Sequence, residues 1–169
     1  ARPRQLPELK PEPAMATIPT PEVIATQLGA LLRRPVKAAP VTIKGAASPS
    51  FGVYHSGDEK PIAVCGADLP FAAYSAAAFS MIPEETAEES VKAGQLDEGL
   101  AEIFGEVLNV VSRMFGEYDT RRVTLMGKTY SPAPPTPDMV SVIRASKEKL
   151  DVEVDIEGYG KGLLMFRVA

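Results

Sequence analysis

The chain of 169 residues predicts an α+β domain, helices gathered against an antiparallel sheet of about six strands. Three observations carry that expectation. Extended segments fall in two groups, and each group follows a helical segment. "SFGVYHS" and "KPIAVCGAD" flank "GDE", and "LDVEVDI" and "LLMFRV" flank "GYGKG", which reads as two hairpins. "LAEIFGEVLNVVSRMF", residues 100–115, is the strongest helix pattern in the chain.

The bulk numbers narrow the function. Apolar residues make up 45% of the chain and charged residues 24%, as in ordinary soluble domains. The net charge is −4 and no basic face is evident, so a nucleic-acid partner is not expected. A single cysteine, Cys65, leaves no internal disulfide and no thiolate zinc cluster, and it fits a reducing, cytoplasmic setting. One histidine, His55, argues against imidazole metal sites and histidine triads. There is no apolar run of about 18 residues, so no membrane insertion is expected. The opening "ARPRQLPELKPEP" lacks the apolar centre of a signal peptide.

Along the chain, residues 1–19 carry prolines at 3, 7, 11, 13 and 19 and read as a flexible, semi-rigid tail or linker. The domain proper is expected over 20–169. It opens on "TPEVIATQLGALLRRP": Thr20 caps, Pro21 fits the first helical position, and Pro35 stops the helix. "VKAAPVTIK" reads as extended, and "LPFAAYSAAAFSMIP" as a short alanine-rich helix. Residues 84–99 hold six carboxylates and one lysine, and read as a helix start with a solvated face, a break at Gly94 and entry into the long helix. After the long helix come "RRVTLMGKTY", the proline-rich "SPAPPTPD", an extended "MVSVIRASKE" and the final hairpin. The sum is about three helices and six strands, with a hint of a two-fold repeat of a helix plus strands.

The long helix carries the functional question. With Leu100 at 0° and about 100° per residue, Ile103, Phe104, Val107, Leu108, Val111, Met114 and Phe115 fall within roughly 80° of zero. Asn109, Glu102, Arg113 and Glu106 fall at about 180°, 200°, 220° and 240°. They form one narrow outward stripe. Asn is a poor choice for an exposed helix position, where Lys, Glu or Gln serves better by some tenths of a kcal/mol. An amide can orient a water without changing its own charge, and a carboxylate one turn away can hold a lysine. Phosphoryl transfer asks for little more than such positioning when a partner already holds the phosphate.

"LDEGLAEIFGEVLN", residues 96–109, resembles the signature helix of the CheC/CheX/FliY phosphatases of bacterial chemotaxis. That helix carries Glu-x-x-Asn, with Ser or Asp four residues ahead and a proline about 22 residues behind. Here Glu106 and Asn109 supply the pair, and Pro132 follows after 22 residues. Position 102 departs from the pattern, with Glu for Ser or Asp, and Arg113 stands where the family often has small residues. Layout also resembles the family, closest to CheX, from residue 20 to 169.

The resemblance implies a single CheC/CheX-like domain that dephosphorylates the aspartyl phosphate of a CheY-like receiver domain. Asn109 would orient the attacking water, Glu106 would grip the receiver's lysine, and Glu102 and Arg113 would border the contact. This chain would bind no cofactor, Mg²⁺ belonging to the receiver. The first helix lacks Glu-x-x-Asn, so one site per chain is implied, in a homodimer. The alternatives are a catalytically silent adaptor of the same fold, binding a receiver or a flagellar-switch-type partner, and an unrelated ligand-binding sensor domain. "GYGKG" reads as a turn because it precedes a strand, His55 as a surface residue, Cys65 as a buried inert thiol and "SPAPPTP" as a connector.

Overall fold

The computed structural model describes residues 16–44, 49–56, 60–115 and 123–169. They form α1 (Pro21–Leu32), β1 (Val36–Pro40), β2 (Ser50–Ser56), β3 (Pro61–Ala67), α2 (Leu69–Phe79), α3 (Glu84–Ala93), α4 (Glu98–Val111), β4 (Val123–Thr129), α5 (Pro137–Ala145), β5 (Glu148–Ile156) and β6 (Gly160–Val168). A 3₁₀ turn, Ser112–Phe115, extends α4. The α+β class and the six strands are as the sequence predicts. Five helices replace the expected three, because Glu84–Ala93 is a helix in its own right and 137–145 is helical where an extended segment was expected. In that last helix Thr136 caps Met139, Pro137 starts the first turn, and Met139 and Val142 bury one face three residues apart. Its valines and isoleucine disguised it as a strand.

All strand pairs are antiparallel, in the order β1-β5-β6-β3-β2-β4. Turning that order end for end exchanges β1 with β4, β5 with β2 and β6 with β3. The hinted repeat is therefore real as topology: helix, outer strand and hairpin occur twice, and each outer strand pairs with the other unit's hairpin.

Alternation divides the sheet's two faces. Tyr54, Cys65, Val154 and Phe166 point into the main core with α1, α2 and α4, while Phe51, Val53 and Val64 point into a smaller core under α5. The centre of the main core is α2, whose Ala72, Ala73, Ala76, Ala77 and Ala78 are all buried. A helix enclosed on every side can use only small residues where its neighbours come close. The closest approach is at Gly162 of β6, where a Cβ would lie 2.4 Å from the Phe71 backbone nitrogen and Cα.

Asp68 fastens this contact. Its Oδ1 accepts from the N–H of Phe71 at 2.8 Å, capping α2, and from the N–H of Leu163 in β6 at 3.0 Å. Burial pushes its carboxyl above the usual carboxylate range, and the two backbone donors offset this only in part. A raised folded-state value means folding favours the protonated form. That contribution is complete below about pH 4, the unfolded value, and is lost as pH rises through the folded one. Asn keeps an oxygen for both donors and carries no charge. Asp68→Asn is expected to match or exceed wild-type stability at pH 7, the advantage vanishing near pH 4. Asp68→Ala is expected to cost about 1–2 kcal/mol; urea denaturation at the two pH values reads both.

Residues 16–19, placed in the tail by sequence, pack on the domain. Ala16 and Pro19 are buried, and the Thr17 N–H donates to the Phe115 carbonyl at 2.8 Å. Residues 1–15 lie outside the described residues, as does the "GDE" turn of the first hairpin. Cys65 is buried, and burial pushes its thiol up, out of the reactive range. His55 is half-buried in β2.

Candidate functional site

The site helix starts where Asp97 caps α4, its Oδ2 accepting from the N–H groups of Gly99 and Leu100 at 3.1 and 3.4 Å. Glu98 in the first turn suits the positive end of the helix. Leu100, Phe104, Val107, Leu108 and Val111 are buried, as are Met114 and Phe115 beyond them, and Ile103 is half-buried. Each large side chain so placed contributes about 1.5–3 kcal/mol, so the helix is fixed in rotation as well as position.

That fixed rotation presents the stripe outward. Glu102, Glu106, Asn109 and Arg113 are all exposed. Among the described residues the ion pairs are Glu153 with Lys161 at 3.8 Å and Asp151 with Arg167 at 2.8 Å, so Glu106 and Arg113 are not tied to each other. The Asn109 amide likewise has no hydrogen-bond partner among them. Arg113 lies in the 3₁₀ turn, whose tighter winding carries it further round the axis than an α-helix would. Pro132 is exposed in the loop after β4, following a cis Ser131–Pro132 bond, and the Ser131 N–H donates to Ser50 Oγ at 2.9 Å.

Three residues of the site were missed by sequence reasoning. Tyr54 is the first. Just past Asn109 the helix tightens, and the Ser112 N–H turns to the carbonyls of Asn109 and Val110. The Leu108 carbonyl thereby loses its regular donor. The buried Tyr54 hydroxyl replaces it at 2.7 Å. Burial, with the neighbouring Cys65 a smaller cause, holds that phenol well above its usual range, so it remains a donor. Tyr54→Phe is expected to leave the carbonyl orphaned, costing about 1–3 kcal/mol in denaturation and speeding amide exchange at Ser112–Phe115.

The other two are Gly105 and Lys128, on the strand over it. Gly105 is buried, one turn before Asn109. A Cβ there would lie 2.8 Å from the Tyr130 hydroxyl and 2.9 Å from Lys128 Nζ. β4 reaches this position through a bulge. Val53 pairs with Gly127 but Tyr54 pairs with Leu125, leaving Met126 over. The extra residue changes the phase of alternation, so Leu125 and Lys128 both face α4. No alternating pattern in the sequence could have shown this.

The fold defines the class. An open antiparallel sheet in the order above, with α1, α2 and α4 packed on one face and α5 on the other, is a CheC/CheX/FliY-like fold. Among solved structures, the FliM middle domain of Helicobacter pylori aligns over 88% of this chain and 84% of its own, with a TM-score of 0.57 and 11% identity. FliY of Thermotoga maritima aligns over 86% and 81%, with a TM-score of 0.56 and 14% identity. The CheX–CheY–BeF3–Mg complex of Borrelia burgdorferi aligns over 85% of this chain and 90% of its own, with a TM-score of 0.41 and 15% identity, so the likeness is to the fold and not to CheX in particular. No family profile and no curated protein sequence matches the chain.

Proposed function

We propose that this domain hydrolyses the aspartyl phosphate of a CheY-like receiver domain. The observation that carries the reading is the pair Glu106 and Asn109, exposed on adjacent turns of a helix whose opposite face is wholly packed. Glu106 meets the receiver's lysine and fixes the approach. Asn109 enters beside the acyl phosphate and holds a water in line with the P–O bond. The receiver holds the Mg²⁺. Glu102 and Arg113 border the contact, and Pro132 belongs to the loop at the end of β4. The same family likeness supports a homodimer, which sedimentation of the chain would read.

The test is loss of phosphoryl groups from a receiver domain charged with acetyl phosphate in Mg²⁺, with and without the chain. Acceleration over spontaneous hydrolysis is expected; equal rates would sink the reading. A second reading, a silent adaptor, is favoured by two long charged arms: Glu102, where the family has Ser or Asp, and Arg113, where it often has small residues. It predicts a stable complex with the phosphorylated receiver and no acceleration.

A further inference from the structure

Asn109 does not stand in a uniformly acidic stripe. Glu106 lies on one side of it, about 60° round the helix by the wheel, and Gly105 about 40° round on the other. Over Gly105 rests the ammonium group of Lys128, with its Cδ at 3.7 Å from a Cβ placed there and the Tyr130 hydroxyl close by. Positions four apart on a helix are about 6 Å from each other, so this cation sits within one turn of the Asn109 amide. Across the helix the order is cation, amide, carboxylate. Lys128 is exposed and in no ion pair with a described residue.

Two devices hold it there. The Met126 bulge turns Lys128 toward α4; with regular alternation it would face α5. Gly105 leaves the notch that the lysine tip and the tyrosine hydroxyl fill. Gly costs about 1 kcal/mol against Ala in a helix interior, and here the clashing atoms are ends of movable side chains. The fold would therefore tolerate alanine, and the glycine keeps room for the cation.

We propose that Lys128 is a third functional residue of the site, contacting an oxygen of the partner's anionic phosphoryl group beside Asn109 while Glu106 takes the partner's ammonium group on the other side. This rests on the phosphatase reading. Water adds to phosphorus as the bond to the aspartyl oxygen breaks; the carboxylate leaves, and both protons of the water depart with dihydrogen phosphate. Lys128 transfers no proton. It stabilises charge on the phosphoryl oxygens as the bond breaks.

The experiment is the receiver dephosphorylation assay run to saturation with wild type, Lys128→Met, Lys128→Arg and Gly105→Ala. Met keeps the apolar stem and removes the charge. Lys128→Met is expected to lower kcat about 10-fold with KM little changed, less than the 10²–10³ of a buried donor because the site is open to solvent. Lys128→Arg should keep most of the rate. Gly105→Ala should lower kcat while denaturing no earlier than wild type. A Lys128→Met rate within about twofold of wild type, or an effect confined to KM, overturns the proposal and leaves the phosphatase reading standing. No acceleration by wild type overturns both.

Discussion

Asn109→Ala is expected to remove nearly all acceleration of receiver dephosphorylation, a loss of about 100-fold, with no fall in stability. The magnitude is that of deleting a positioned group from a site whose chemistry is mostly orientation. Stability is spared because the Asn109 side chain is exposed, with no partner among the described residues, and Ala is the better helix former. The helix end stays in place, since its unusual hydrogen bonds run through backbone carbonyls, Ser112 Oγ donating to that of Asn109 at 2.6 Å and the Tyr54 hydroxyl to that of Leu108. Glu106→Ala should act differently, raising KM more than it lowers kcat, because the role proposed for it is to hold the partner's lysine before the reaction. Steady-state kinetics at varied receiver concentration separates the two. Full activity in Asn109→Ala would refute the water-orienting role even if wild type proved to be a phosphatase.

Gly162→Ala is expected to be the most destabilising glycine-to-alanine change among the described residues. Its Cβ would fall 2.4 Å from the backbone of Phe71 and 2.5 Å from that residue's own Cβ. Backbone cannot swing aside as a side-chain tip can. Either α2 lifts from the sheet, or β6 bends away from it. Lifting α2 also pulls Phe71 and Leu163 from Asp68, which caps one and pins the other. Overpacking typically costs 1–3 kcal/mol, and the added loss at Asp68 puts this change at about 3 kcal/mol or more, or about 10 °C in Tm for a domain of this size. Thermal unfolding followed by circular dichroism reads it directly. Gly105→Ala is the built-in contrast: similar short contacts, but against a lysine tip and a hydroxyl, and no comparable loss.

These two glycines mark where sequence reasoning reaches its limit. Periodicity exposed the buried face of α4, and with it the outward stripe, because burial along one helix is a local property of spacing. The final hairpin and the first helix cap were legible for the same reason: "GYGKG" and Thr20 act on their immediate neighbours. Gly105 and Gly162 owe their meaning to chain segments more than 20 and 90 residues away. Tyr54 looks like any aromatic in a strand until the 3₁₀ turn frees a carbonyl above it. α5 was misread because two valines and an isoleucine outweighed a cap hidden in a proline run, and the bulge at Met126 leaves no mark on alternation. The outward placing of Glu106 and Asn109 was legible from spacing; the cation beside them required the fold.

The bond from Thr17 to Phe115 has a mechanical consequence. Both the N–H and the Oγ1 of Thr17 donate to the Phe115 carbonyl, at 2.8 and 3.4 Å. Phe115 closes the turn that begins three residues after Asn109. Tension on the chain ahead of Ala16 thus enters the domain at the carboxyl end of α4 and not at some remote corner. A pull applied to that segment would pass, through two hydrogen bonds, to the same rod that carries the amide.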